Sequence, residues 1–479
     1  MVFRDFYLLF AVVTALTFGQ PTFGQSTFGQ PKTFYHEDTL KSAAVSVKVR
    51  FSHMKMPMVL SGSEYDTLDL GSDGAPGKTV TAYIDSDSMQ IRNDNFPFEE
   101  RHHFPLLLAG RKYTLRLRFN NVRAYFSPEY IRKNSGRTFV EIPETFELAN
   151  ILLMLSPAGQ KAGNMVGTGQ YHDEVAAYFK PYLGHPVFKV LDVPEARYMT
   201  NYYEFRENSI CYEFSGDKLT PSRYFLVYGS DDSTYANAFR NRIELVADFA
   251  RRSKFRDFYQ KHLPYYRQLI AQQTEWSDLS GMQKWLEREF VKPKIDCLRL
   301  IFSPIIHSTH STQRFGGFGD DGKYFQERLL FVSGPGDGHP EWNDQQRRGS
   351  LAGIVFTEID HNYVNPRSGD FEAQIDSLFS NRPFWSPGRE ADFYPKPQLV
   401  FNEYMTHALF SLYVLDTFDR PTADFLIARR EEMMVNRRGF VKFREFNATL
   451  MKMKKESPDK TVSELYPKVI DWCRAFSKQ

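Results

Sequence analysis

Residues Gly353-Ile354-Val355-Phe356-Thr357-Glu358-Ile359-Asp360-His361-Asn362-Tyr363-Val364-Asn365-Pro366 decide how the second half of this chain is read. A helix places residues four apart on one face. The pattern His-Glu-x-x-His on such a helix presents two imidazoles to one metal ion, and the Glu beside the first serves as general base for metal-bound water. Here Glu358 and His361 hold the second and fifth places, and Thr357 stands where the first imidazole belongs. A threonine hydroxyl is neutral, short and a poor zinc ligand beside imidazole. The function therefore turns on whether a metal still binds.

The motif helix is predicted from about Gln345 to Val364, stopping before Pro366 because a residue preceding proline avoids the helical region. A second helix is predicted from about Pro397 to Phe418, with three more to the C-terminus. Zinc hydrolases use three protein ligands and leave one position for water. Glu403, in Phe401-Asn402-Glu403-Tyr404, is the candidate third ligand. Leu399, Val400, Leu409, Phe410, Leu412 and Val414 surround it in sequence, so its helix should be buried and its charge needs a partner, either a metal or an Arg or Lys. His407 lies one turn on and is the candidate substitute for the missing imidazole, although that turn displaces it by about 6 Å along the axis. Losing even an outer partner of a metal ligand costs about 10–100-fold in affinity. His361 and Glu403 alone should therefore hold zinc weakly.

The remaining histidines point elsewhere. His307 and His310 sit three apart in a loop and read as surface or hydrogen-bonded groups. His185 before Pro186 reads as structural, and only chain order brings His339 toward the motif helix. No Gly-x-Ser-x-Gly signature marks a serine hydrolase.

Bulk properties bound the partners. The 479 residues exceed one ordinary domain. Lys plus Arg number 60 against 58 Asp plus Glu, a net charge of +2 that argues against nucleic acid. Phe and Tyr are abundant, at 43 and 26, which favours an aromatic core. Cys211, Cys297 and Cys473 form neither a metal pattern nor a disulfide framework. Residues 1–19 read as a signal peptide: Arg4 supplies the charge and Phe6 to Leu16 an apolar run too short to span a bilayer. Export to the periplasm, cell envelope or medium follows, and no transmembrane segment is expected.

Residues 20–34 form a low-complexity leader in which Thr17-Phe18-Gly19-Gln20 recurs as Thr22-Phe23-Gly24-Gln25 and Thr27-Phe28-Gly29-Gln30. Residues 35–138 read as a small antiparallel β-rich domain. Val45 to Phe51 and Tyr113 to Phe119 alternate apolar and polar, Thr79 to Ile84 is a third candidate strand, and Gly71 to Gly77 is turn-rich. Residues 139–479 form the second domain, with helical periodicity from Pro143. Phe146 to Leu155, Tyr235 to Phe255 and Phe258 to Ala271 are the predicted helices there. Residues 295–302 and 327–333 are predicted strands, and Phe315 to Gly319 and Gly334 to Gly338 glycine-rich loops. The expected fold class is α+β: a β-rich domain followed by a mainly α-helical domain with a small sheet.

From about residue 143 onward the chain resembles the DUF4932 family of secreted, gluzincin-like metallopeptidases. The resemblance runs through Glu147-Leu148-Ala149-Asn150-Ile151, Tyr178-Phe179, His185-Pro186-Val187 and Phe249 to Tyr266. It ends in Glu358, His361, Val364-Asn365-Pro366 and the Glu403 helix. It implies Glu358 as general base and His361 and Glu403 as zinc ligands, with Thr357 departing from the first ligand. Two functions stay open: a secreted zinc peptidase with a modified site, in which the strand at 327–333 aligns a peptide along its edge, or a metal-free relative that binds a peptide or protein in its cleft. The β-rich segment lies outside the resemblance, and surface docking is a further role for it.

Overall fold

In a computed structural model the described residues are 32–478, apart from 53–56, 62–66, 72–78, 93–99, 120–122, 225–237, 294, 319–322, 336–338, 388–393 and 395. The signal peptide, the three Thr-Phe-Gly-Gln copies, most of the Gly71 to Gly77 turn, the start of the Tyr235 helix and the end of the Gly334 to Gly338 loop lie outside them. The architecture is α+β.

Among the described residues nine strands build the N-terminal unit: β1 (Lys32–Tyr35), β2 (Leu40–Ser42), β3 (Ser46–Phe51), β4 (Met58–Ser61), β5 (Thr67–Gly71), β6 (Thr79–Ile84), β7 (Asp87–Arg92), β8 (Glu100–Leu108) and β9 (Arg111–Phe119). One sheet runs β1-β8-β9-β5 with β2 also on β8, and the other runs β4-β3-β6-β7. Side chains alternate across a strand, so Val47, Val49 and Phe51 of β3 and Phe104, Leu106 and Leu108 of β8 fill one core. Phe51 meets Phe119 edge-on at 4.9 Å between the sheets. The expectation of an antiparallel domain needs one correction: β1 and β2 join β8 in parallel, as does β5 with β9. Alternation within a strand reports which face is buried and carries no sign of strand direction.

The C-terminal unit begins before residue 139. Phe126, the helix Pro128–Asn134 and β10 (Arg137–Glu141) all pack into it. After the small hairpin of β11 (Tyr212–Ser215) and β12 (Lys218–Pro221), its main sheet is completed by β13 (Cys297–Ser303), β14 (Ser311–Phe318) and β15 (Tyr324–Ser333), in the order β10-β13-β15-β14. β14 alone runs antiparallel to its neighbour. β13 is buried at every residue, as a strand covered on both faces should be.

Two sequence expectations fail here for packing reasons. Phe315 to Phe318 belong to β14 rather than to a loop. The glycines are needed because a Cβ on Gly316 would overlap the Tyr324 ring and one on Gly317 the Ala124 carbonyl. β15 also has both edges taken, by β13 and β14, so it has none to offer a peptide; the outer strand of the described sheet on that side is β14.

The helices lie against this sheet around one large core that includes the fully buried Trp385, Tyr202, Tyr266 and Tyr404. No helix among the described residues is long and apolar enough to cross a membrane.

Candidate functional site

The motif helix runs from Asp344 to Gly369. Asn343 caps it, accepting from the Gln346 backbone N–H at 2.9 Å while the Gln346 side chain accepts from the Asn343 N–H at 3.0 Å. It continues through Pro366 instead of ending before it. Beyond the proline, Arg367 donates to the Ser463 carbonyl at 2.9 Å, and Tyr466 contacts the Val364 carbonyl at 3.5 Å. Tertiary anchoring outweighs the local preference of the residue before proline. Gly349 and Gly353 allow the helix Arg420–Glu432 to come close, since a Cβ at either would overlap Leu426 or Arg430.

The Glu403 helix, Pro397–Thr417, packs beside the motif helix with Val400 through Val414 all buried. The two helices bring the candidate groups together. His361 Nε2 stands 3.4 Å from Glu403 Oε1. The other carboxylate oxygen, Oε2, accepts from Arg438 Nη2 at 2.7 Å. Glu358 is buried beside them, and the His361 side chain, 22% exposed, is the most open of the set.

Charge orders this pocket. Burial alone would raise the Glu403 carboxyl, but Arg438 and the hydrogen bonds of His361 and His407 outweigh it and hold the carboxyl well below its ordinary value. Burial would lower His361, but the Glu403 bond and the carboxylates of Glu403, Asp360 and Glu358 outweigh it and push the imidazole up to about 10. Burial pushes Glu358 up to about 7, with His361 opposing and Glu403 adding to the rise. Asp360 is buried with neither carboxyl oxygen hydrogen-bonded, and burial holds it well above its ordinary value, with His361 opposing.

Thr357 stands apart from that pairing, while His407 meets the other Glu403 oxygen, with Nε2 3.5 Å from Oε2. The Thr357 hydroxyl turns back onto its own helix, 3.0 Å from the Gly353 carbonyl and 3.1 Å from that of Ile354. His407 is caught between two guanidiniums: Arg430 Nη1 lies 2.7 Å from Nδ1, and Arg438 Nη1 bonds Nε2. Burial, opposed by the Glu403 bond and reinforced by the two arginines, holds the imidazole well below its ordinary value.

A zinc centre can be tested against this donor set. With zinc–ligand bonds of about 2.0–2.1 Å, two corners of a tetrahedron lie about 3.3 Å apart. His361 Nε2 and Glu403 Oε1, at 3.4 Å, match one such edge. The third protein donor is missing, because Thr357 faces helix carbonyls and His407 is engaged by two cations. Among the described residues no group of three His, Cys, Asp or Glu is placed to hold a metal. The arrangement does not fit a three-ligand zinc site. It can instead offer a cationic imidazole and a neighbouring carboxyl to a polar ligand.

The other histidines are accounted for locally. His185 bonds Asp248 at 3.0 Å and caps a short helix through Val187. His310 contacts Ser333 at 3.2 Å, and burial pushes it down to about 3. His339 stacks on Trp342 at 3.6 Å beyond the start of the motif helix, roughly 25 Å of helix rise from His361. What sequence reasoning missed is the arginine pair. Arg438 follows a turn of π-helix, Met433–Arg437, with no periodic signal tying it to Glu403. Comparison with protein-family models, curated proteins and solved structures finds no match to this chain.

Proposed function

We propose that this chain is an exported, metallopeptidase-like protein whose site works without a metal and whose outer strand β14, beside the motif helix, takes an extended polypeptide. The observation that carries the reading is the 2.7 Å bond from Arg438 to Glu403: the buried carboxylate, the would-be metal ligand, already has a cation on one oxygen. Thr357 supports it, since its hydroxyl is spent on the helix backbone. Asn362 on the motif helix reaches Thr312 of β14 at 3.4 Å, so the outer strand runs past the site. Such a strand can pair with an extended peptide through main-chain hydrogen bonds on the N-terminal side of Gly316, whose carbonyl already accepts from Arg123 and Ala124. The His361 imidazolium, its Nδ1 on Asn365 at 3.2 Å and its Nε2 3.4 Å from Glu403, puts a fixed positive charge near that strand.

The test is elemental analysis of protein purified without chelator, together with cleavage of unfolded protein substrates. Well under one zinc per chain and no chelator-sensitive cleavage is the expected result. Stoichiometric zinc that disappears in His361→Ala would sink the reading. A second reading, a zinc peptidase with a modified site, draws on the 3.4 Å spacing of His361 and Glu403. Thr357→His separates the two: zinc bound by the variant but not by the parent means a site one ligand short.

A further inference from the structure

The N-terminal unit carries a side-chain relay unrelated to that site. β1 lies parallel to β8, with Phe34 opposite His102 and Tyr35 opposite His103. It buries little, since Phe34 is 36% and Tyr35 78% exposed. The next residue, His36, does more to hold it. The His36 backbone N–H donates to the His103 carbonyl at 2.9 Å, and its ring stacks on Phe104 at 4.0 Å. His36 Nε2 lies 2.8 Å from His102 Nδ1, and His102 Nε2 lies 2.6 Å from Glu100 Oε1. Glu100 and His102 are both buried.

Counting protons shows what this relay tolerates. With Glu100 ionised, His102 donates from Nε2 and accepts at Nδ1 from His36 Nε2–H. One added proton is accommodated by reversing the middle bond, so that cationic His102 donates to both neighbours. A second proton leaves two N–H groups and two positive charges facing each other across 2.8 Å with no acceptor between them.

We propose that His36, His102 and Glu100 form an acid-released latch, which holds β1 on β8 while at most one of the two imidazoles is charged and lets it go when both are. Burial lowers both imidazoles from their ordinary value: Asp38 opposes this at His36, and Glu100 opposes it at His102 while His36 and His103 add to it. A released imidazole titrates near 6.5. The latch is therefore whole above that pH and is lost as pH falls through the lower values of the seated strand. Among the described residues, the other charged groups nearby are Arg101 on β8, Arg116 and Arg118 opposite on β9, Lys41 on β2 and Glu37 after β1. Lys48 and Arg50 of β3 occupy the outward positions of the second sheet.

Hydrogen exchange on the full chain between pH 7.5 and 5, corrected for intrinsic rates, tests the latch. Each net proton taken up on release multiplies the released fraction by about ten per pH unit. The amides of Phe34 and His36, which face β8, should lose protection at that rate or up to its square, while β9 stays protected. In His36→Phe, which keeps the stacking ring, the pH dependence should vanish. Should that variant fail to seat β1 at any pH, His36→Gln keeps a donor to His102 without titrating and should hold the strand at both ends of the range. Constant protection in the parent, equal pH dependence in His36→Gln, or loss that spreads through β9 would each overturn the proposal.

Discussion

Arg438 and Glu403 meet where both side chains are 10% exposed or less, and at that depth a single charge is costly. Removing one member of a buried pair typically costs about 3–5 kcal/mol, because the survivor is left uncompensated. Arg438→Met should lower the stability of the C-terminal unit by about that much, since His407 and Tyr394 lose the same guanidinium. Arg438→Met combined with Glu403→Gln should lose distinctly less than the single change. Urea unfolding of parent, single and double variants measures this. An Arg438→Met midpoint equal to the parent's would mean that the bond does not carry the carboxylate. This residue pair also marks how far the sequence can be read. The apolar run around Glu403 shows that its charge needs a partner, and the partner turns out to be an arginine. Which arginine depends on how a third helix turns, and no spacing within the Glu403 helix encodes that.

Three helices meet at Glu147. From the helix Glu144–Leu155 its carboxyl accepts from Tyr171 of the helix Gln170–Phe179 at 2.7 Å. Tyr171 in turn shares a 2.5 Å bond with Tyr266 of the helix Phe255–Ser277. Burial pushes Glu147 up to about 7, with the hydrogen bonds of Ser303 and Tyr171 opposing. An unfolded Glu titrates near 4.3. Between those values the folded chain binds the proton and the unfolded chain does not, so this group's contribution falls as pH rises through the window and is flat above it. The shift is worth about 4 kcal/mol at most. Glu147→Gln should remove that slope: its stability relative to the parent should rise from pH 5 to 8. Denaturant midpoints for both proteins across the range check it, and parallel curves would refute it.

At this scale periodicity served well where packing is local. It placed the Phe146 helix, β13, β15 and the Glu403 helix close to where they lie. It missed β14, because the glycines that read as a loop are there to admit Tyr324 and Ala124. It cut the motif helix short, because the groups holding it past Pro366 come from the C-terminal helix.

The whole molecule holds its cores apart. The sandwich core ends at Phe119, while Ala124 and Phe126 already belong to the cluster around Phe315, Phe325 and Leu329. Arg123 and Ala124 donate to the Gly316 carbonyl, which ties the incoming chain to β14. Tyr130 then donates to Glu327 at 2.7 Å, and Arg299 donates to Tyr130 at 2.7 Å and to Asn134 at 3.2 Å. β10 covers the outer edge of β13. Helical periodicity begins at Pro143, which is later than where the second core begins. Two truncations separate these boundaries. Removing residues 1–119 should leave a folded C-terminal unit with the near-ultraviolet circular dichroism of its buried aromatics. Removing residues 1–138 takes away Phe126 and Tyr130, strips part of β10, and leaves the Glu327 carboxylate in the core with one fewer donor. Each buried group left without its bond costs about 1–3 kcal/mol and a lost core phenylalanine about 3–5 kcal/mol. Those losses together rival the 5–15 kcal/mol that holds a typical domain folded. The shorter piece should therefore aggregate or melt without a cooperative transition. If both pieces unfold at the same temperature, the 120–138 segment is a linker and the division of cores drawn from Phe126 is wrong.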